Sequence, residues 1–444
     1  MKTKGPRVRV VGAGLAGVEA VFCLASRGIP VDLYEMRPVR STPAHKTSLL
    51  GELVCSNSLK GMDGETAHGL LKRELELLGS LVLSTARETM VPAGKALAVD
   101  RDAFAQSLTR TVQSLEGVAL IREEVTAIDP EVPTIIATGP LTSDGLADEL
   151  ARMTGTGRLF FYDAIAPIVD ASSIDHGCAF FGSRWSDNDN DKDYLNCPLT
   201  KDQYETFVRE LLEGDRVNAR SFENARFFEA CLPVEVMAGR GLDSLRYGPM
   251  RPVGMVDPGS GERPYAVLQL RRENLRGDAF NMVGFQTRLT WPEQRRVFSL
   301  IPALASARYL RYGSIHRNTF LDSPRVLEKD LRLKGFRNTF VAGQITGVEG
   351  YVESAAMGIA AALSLLAHLS GRDFSPPAAD TAVGALIHYI TQSATDRFQP
   401  TNINFGIMEE PDAPKKHRKQ KRLEQEARSF DRWIQFLRSC SVLV

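Results

Sequence analysis

The clearest pattern along the chain is an apolar run that changes period. Val8, Val10 and Val11 form a β-branched stretch, and Gly12-x-Gly14-x-x-Gly17 then opens a segment whose apolar positions recur at helical spacing as far as Gly28. "PVDLYE" reverts to a strand pattern and ends on Glu35. Two later stretches repeat the strand-then-glycine theme. "TIIATGP", residues 134–140, is a β-branched run that stops at Gly139. "NTFVAGQITGVEGYVESAAMGIAAALSLLAHLSG" places an apolar strand before Gly343, then a turn with Gln344, Gly347 and Gly350, then a long helix rich in small residues. Between about 165 and 330, strand-like runs ("GCAFFGSRW", "PYAVLQL", "AFNMVGFQT") mix with helical ones ("KDQYETFVRELLEG", "WPEQRRVFSLIPAL"). Near the end, Leu423, Ala427, Phe430, Ile434 and Leu437 keep helical spacing, which predicts a helix packed on the protein.

This order predicts an α/β protein. A Rossmann-like domain would be built from residues 1–164 and 331–444, with a mixed α+β insertion domain at 165–330 and a cleft between them. A chain of 444 residues exceeds what one compact core usually holds, which agrees with such a division. With 43% hydrophobic and 24% charged residues the composition is that of an ordinary globular protein. No run is read as approaching the roughly 18 apolar residues of a membrane span, and "MKTKGPRVRVVGAG" enters a strand without a signal-peptide pattern. The expectation is a cytoplasmic protein. The six cysteines and seven histidines are scattered, with no C-x-x-C or H-E-x-x-H, so no metal is expected. Net charge is zero, and a polyanionic partner would have to meet a local basic patch.

The fingerprint carries specific chemistry. Gly12 allows the tight turn, Gly14 lets backbone approach a pyrophosphate, and Gly17 lets helix and strand pack closely. The pyrophosphate would sit on the helix N-terminus, against Gly12, Ala13, Gly14, Leu15, Ala16 and Gly17. Glu35 is placed to accept hydrogen bonds from ribose hydroxyls, which disfavours a 2′-phosphate and leaves FAD or NAD. Gly139 would bring a second strand end beside the cofactor. The segment around Gly343, Gln344, Gly347 and Gly350 would aim a helix N-terminus at its far end. This arrangement resembles the two-segment FAD site of glutathione-reductase-like flavoproteins. Those usually end the second segment in Gly-Asp, where this chain has Gly343-Gln344. There is no second G-x-G-x-x-G, so NAD(P)H would reach the flavin only transiently.

Other residues admit two readings on the sequence alone. Cys55 stands among turn formers in "GELVCSNSLKG", either filling a gap or kept accessible as a reactive thiol. Cys231, in "FFEACLPVEVMAGRG", reads in isolation as a buried core cysteine. Arg240, Arg246, Arg251, Arg271, Arg272 and Arg276 are either solvated or a phosphate-binding wall. The basic "PKKHRKQKR", residues 414–422, is either a solvated face or an RNA contact.

A string of motifs then narrows the choice. "VGAGLAG", "LYEMRP", "ELVCSNSL", "VPAGKALAVDR", "ATGPLTS", "CLPVE", "YAVLQLR", "GFQTRLTWPEQ", "HRNTF" and "GQITGVEGYVESAAMG" occur in order from residue 8 to about 410. Together they resemble the folate- and FAD-dependent tRNA (uracil-5-)-methyltransferases of bacteria, with the lysine-rich tail outside the match. The resemblance implies a reductive methylation of C5 of the T-loop uracil. The one-carbon unit would come from 5,10-methylenetetrahydrofolate and travel on flavin N5, and NAD(P)H would supply electrons. It also implies that two cysteines serve the uracil, falling on Cys231 as nucleophile at C6 and Cys55 as the proton-handling partner, roles that may be exchanged only as a pair. Tyr351 is expected to stack on the pteridine and His316 to help hold folate or nicotinamide. Related enzymes can act on ribosomal RNA, and a non-methylating tRNA-binding flavoprotein is the remaining alternative.

Overall fold

The computed structural model describes residues 7–157, 159–184, 193–217, 232–393 and 398–439. Val8–Val11 is the middle strand of a five-stranded parallel sheet. Val31–Tyr34 and then Val118–Ile121 lie to one side, and Thr134–Ile136 and then Thr339–Val341 to the other. Val10, Leu33, Ile135 and Val341 are buried, as befits strands covered on both faces. The outermost strand, Thr339–Val341, comes from the far part of the chain, so the sheet is completed only when the backbone returns.

The return brings the helix Tyr351–Leu369 against the helix Leu15–Ala25 that follows the first strand. They touch backbone to backbone: a Cβ on Gly358 would lie 2.1 Å from the carbonyl oxygen of Ala16. Here the small-residue pattern has its physical reason. One expectation is corrected by this helix. Its 19 residues have a mean hydropathy of 1.5, long and apolar enough to cross a membrane, whereas no such run was expected. It is apolar all round because 83% of that stretch is buried inside the protein.

An antiparallel ribbon, Leu159–Ile165 against Ser314–Phe320, carries the chain out to a second core and back. Between its strands lies a six-stranded antiparallel sheet in the order Phe180–Gly182, Tyr194–Leu199, Ala266–Arg272, Ala279–Met282, Ile168–Asp170, Tyr309–Arg311. The helices Lys201–Glu213 and Trp291–Phe298 fall where their periodicity predicts. They pack through Phe207, Phe285 and Phe298, whose rings lie 5.8–6.5 Å apart. At the other end of the chain, Arg418–Ser439 is the expected packed helix, burying Phe430, Trp433, Ile434 and Leu437.

Two buried carboxylates tie helices together. Glu74 accepts hydrogen bonds from the amides of Ala382 (2.6 Å) and Val383 (2.7 Å), at the start of the helix Ala382–Gln392. Glu19 does the same for Leu81 (3.1 Å) and Val82 (2.9 Å). A buried amide left without an acceptor costs about 1–3 kcal/mol. Glu74→Ala should therefore lower unfolding stability by about 2–4 kcal/mol. Glu74→Gln, which keeps one acceptor oxygen, should lose less. Urea denaturation of the two variants checks this, and equal losses would contradict it.

Candidate functional site

The carboxyl end of the first strand opens into a cleft of about 970 Å³. Its walls include Gly12, Ala13, Gly14, Leu15 and Ala16 from the fingerprint, Glu35, Thr138 and Gly139, and Gln344 and Tyr351 from the returning segment. The three fingerprint glycines do different work. A Cβ on Gly17 would lie 1.8 Å from the Gly12 carbonyl oxygen, and one on Gly12 2.7 Å from that of Ala137, so both are required by the protein's own packing. A Cβ on Gly14 would meet nothing within 4 Å, because it would point into the cleft. That empty cradle at a helix N-terminus fits the diphosphate of a dinucleotide.

Glu35 closes one end. Its carboxylate accepts from the amide of Ala13 (3.1 Å), the amide of Arg37 (3.0 Å) and Arg37 Nε (2.8 Å). Burial works against its charge, but Arg37 and the two amides outweigh it and hold the carboxyl below its ordinary range. Arg37 also donates to Glu52 at 2.9 Å, joining this strand end to the loop that carries Cys55.

A second cleft of about 1070 Å³ adjoins the first and shares Val54, Pro140, Leu141, Gln344 and Tyr351 with it. Cys55 is half-buried in its wall, with Lys60, Asp163, His316, Glu349 and Glu353 around the rest. Four side chains from distant parts of the chain pin the Cys55 loop. The Tyr351 hydroxyl accepts from the Cys55 amide at 2.9 Å. Arg101 donates to the carbonyls of Leu53 and Cys55, and Arg311 to that of Val54 at 2.5 Å. Arg271 Nε donates to Asn57 Oδ1 at 2.9 Å. The loop meets these cations through three backbone carbonyls and the Asn57 side chain.

Two titratable groups in this cleft are held neutral. Burial, helped by the charge of Asp163, raises Glu349 well above the usual carboxylate range against the hydrogen bond from Gln344 (2.6 Å). Burial, with Arg311 and Lys46, lowers His316 to about 4. His316 Nε2 lies 2.9 Å from the Ser314 hydroxyl, a partner invisible in the sequence.

Not every expected residue reaches a cleft. Gly17, Gly343 and Gly347 shape the backbone beneath it: Cβ atoms on Gly343 and Gly347 would strike Ala16 and Phe398. Gly350 lines the second cleft at the start of the long helix. Gln344, which stands where related sites carry aspartate, borders both clefts and donates its amide to Glu349. Of the arginines read as either solvated or a phosphate-binding wall, Arg271 is buried under the Cys55 loop, Arg246 lies over Tyr265 at 4.3 Å, Arg276 pairs with Asp278 at 3.0 Å, and Arg272 lies 5.7 Å from the Phe181 ring. Cys231 lies outside the described residues. Just after it, the Val234 amide donates to the carbonyl of Gln286 at 2.7 Å, and Gln286 lines the second cleft. Arg101, Arg311, Asn57 and Glu349 were missed as site residues. Arg101, Asn57 and Glu349 stand inside the quoted motifs "VPAGKALAVDR", "ELVCSNSL" and "GQITGVEGY", which was their only signal.

A parallel sheet completed by two chain segments, with a glycine cradle and a cysteine-bearing cleft beside it, defines a protein of the two-segment α/β class whose cradle has room for a dinucleotide. The sequence family described as "Glucose inhibited division protein A" matches residues 7–373. The chain is 50% identical over 435 residues, 97% of its length and 98% of the relative's, to a methylenetetrahydrofolate–tRNA-(uracil-5-)-methyltransferase TrmFO of Syntrophus aciditrophicus. It is 54% identical over 411 residues, 92% of its length and 90% of the relative's, to the TrmFO of Myxococcus xanthus. Among solved structures, GidA of Aquifex aeolicus superposes with a TM-score of 0.71 at 17% identity, covering 99% of this chain and 74% of that one. The chain belongs to the GidA family, in its TrmFO branch. With 97% of the chain covered, the similarity also extends into the basic tail, which the motifs had left outside.

The glycines give a test that separates ligand from fold. Gly14→Val should fold with near-normal thermal stability yet purify without bound dinucleotide. Gly17→Val should fail to fold, because its side chain has no room. Absorbance spectra and melting curves of both decide it, and a Gly14→Val protein that retains ligand contradicts the assignment.

Proposed function

We propose that this protein methylates C5 of a uridine in the tRNA T-loop, with 5,10-methylenetetrahydrofolate as one-carbon donor, NAD(P)H as reductant and FAD as bound cofactor. The reading rests on near-full-length similarity to relatives named for this reaction, and one structural observation carries it: a pinned cysteine where two clefts meet. We place the enzyme in the cytoplasm and treat residues 165–330 as an insertion domain on a flavin domain made of 1–164 and 331–444.

Gly12 to Ala16 would hold the FAD diphosphate and Glu35 its ribose, with Gly139 and Gln344 bordering the same cleft. When bound, FAD supplies the two-electron chemistry that turns a methylene into a methyl group. The folate would occupy the second cleft, against the Tyr351 ring. The Tyr351 hydroxyl is already committed to the Cys55 amide, which fixes the ring relative to the backbone that carries the thiol. Neutral His316 offers the folate a hydrogen-bonding group without adding a second cation beside Arg311.

Uracil C5 is a poor nucleophile until a thiolate adds at C6. In this reading Cys231 forms that bond, C5 takes the one-carbon unit, and Cys55 removes the C5 proton. Loss of that proton releases the one-carbon carrier and leaves a methylene on C5; a hydride equivalent drawn ultimately from NAD(P)H reduces it to the methyl group as the C6–sulfur bond breaks and the Cys231 thiolate departs.

Incubated with tRNA, NAD(P)H and methylenetetrahydrofolate, the protein should form 5-methyluridine without S-adenosylmethionine. Nucleoside mass spectrometry checks this, and methylation driven by S-adenosylmethionine alone would overturn it. The cysteines should separate on RNA containing 5-fluorouridine, in which fluorine at C5 cannot leave as a proton. Cys231→Ala should form no covalent adduct while keeping its flavin, and Cys55→Ala should still trap the RNA. An adduct through Cys55 in the Cys231→Ala protein would exchange the roles.

A further inference from the structure

One surface feature is used by nothing described so far. Trp291, at the start of the helix Trp291–Phe298, is 61% exposed, unusual for so large an apolar side chain. Its ring stacks on Tyr312, with centroids 5.2 Å apart and planes 17° apart. Tyr312 stacks in turn on Tyr309, at 5.0 Å and 21°. Arg295 lies 5.3 Å from the Tyr312 ring and donates to its hydroxyl. The result is a short column of parallel rings whose outermost member, Trp291, has no second ring neighbour among the described residues.

The column is tied rigidly to the second cleft. Gln286 lines that cleft, and Trp291 follows it within the same short run. Glu235 fixes the run, accepting from the Thr287 hydroxyl and the Arg288 amide, both at 3.0 Å. On the other strand, His316 lines the cleft, and Tyr312 closely precedes it. Fully buried Gln294 joins the two runs: its Nε2 donates to the carbonyls of Leu289 (2.8 Å) and Gly313 (3.0 Å), and its Oε1 accepts from the Gly313 amide (2.8 Å). Glu293 and Glu210 both pair with Arg296, at 2.7 and 2.5 Å, whereas Arg295 forms no ion pair with a carboxylate among the described residues and keeps its guanidinium on Tyr312.

We propose that Trp291 is a stacking platform for an unpaired base of the RNA, next to the loop whose uridine enters the second cleft. This rests on the RNA-methylating reading above and adds a recognition site to it. Every base presents a π-face, so an exposed indole backed by two parallel rings suits a loop base without reading its identity. Arg295 would favour the adjoining phosphate. The buried glutamine bridge keeps the platform at a set distance from the cleft, so a stacked base would present its neighbour in a set register.

The test uses the full-length flavoprotein and two synthetic RNAs, a T-arm stem–loop and a blunt duplex without unpaired bases. Trp291→Ala should weaken stem–loop binding about tenfold, the size expected for one base stack. It should leave duplex binding, flavin content and NAD(P)H oxidation unchanged. The slope of affinity against salt should not move, since no charge is lost. Trp291→Phe should recover most of the affinity, and stem–loop binding should quench tryptophan fluorescence in the wild type but not in Trp291→Phe. Unchanged stem–loop affinity in Trp291→Ala overturns the platform while leaving the methyltransferase reading intact, as does an equal loss on the duplex. A wild-type protein that binds neither RNA overturns both.

Discussion

The structure depends on one close contact, where the backbone of the helix Tyr351–Leu369 meets that of the helix Leu15–Ala25 at Gly358 and Ala16. This contact brings a segment from the far part of the chain beside the fingerprint glycines and lets Thr339–Val341 complete the parallel sheet. Any side chain at Gly358 would push the long helix away, and Gln344 and Tyr351 would leave the cleft walls with it. The cofactor cleft is thus a product of helix packing. The glycines that make the packing possible matter as much as those facing the ligand.

Cys55 is held by a different physics. Three consecutive carbonyls, of Leu53, Val54 and Cys55, receive hydrogen bonds from Arg101 and Arg311, one guanidinium on each of the two hydrophobic bodies. Arg101 is itself fixed by Glu273, at 2.9 and 3.2 Å. Charged donors on carbonyls are stronger than neutral ones, so the loop is rigid without regular secondary structure. One set of interactions therefore joins the two bodies and orders the loop.

The second cleft also holds titratable groups that burial keeps uncharged. Glu349 and His316 face the same space, yet burial keeps the carboxyl protonated and the imidazole unprotonated. A site that handles a flat, polar heterocycle gains from hydrogen-bonding groups without net charge, because neither substrate nor protein then loses a hydration shell uncompensated.

The sequence by itself determined what local periodicity and turn chemistry can encode. Val8–Val11, the glycine turn, the helix after it and Glu35 lie within one short run, and their spacing alone predicts the cradle that the structure shows. The motif string also gave the family. Tertiary structure decided the rest, because its partners are far apart along the chain. Arg311 reaches Val54 across 257 positions, Arg271 reaches Asn57 across 214, and Tyr351 reaches Cys55 across 296. No window of sequence shows such pairs. Arg271 could be read as solvated or as phosphate-binding for the same reason: a charged residue at the end of "YAVLQLR" has no local sign that a buried asparagine awaits it. An amino acid's type sets which bonds it can make, but only the fold decides which groups lie within about 3 Å of it.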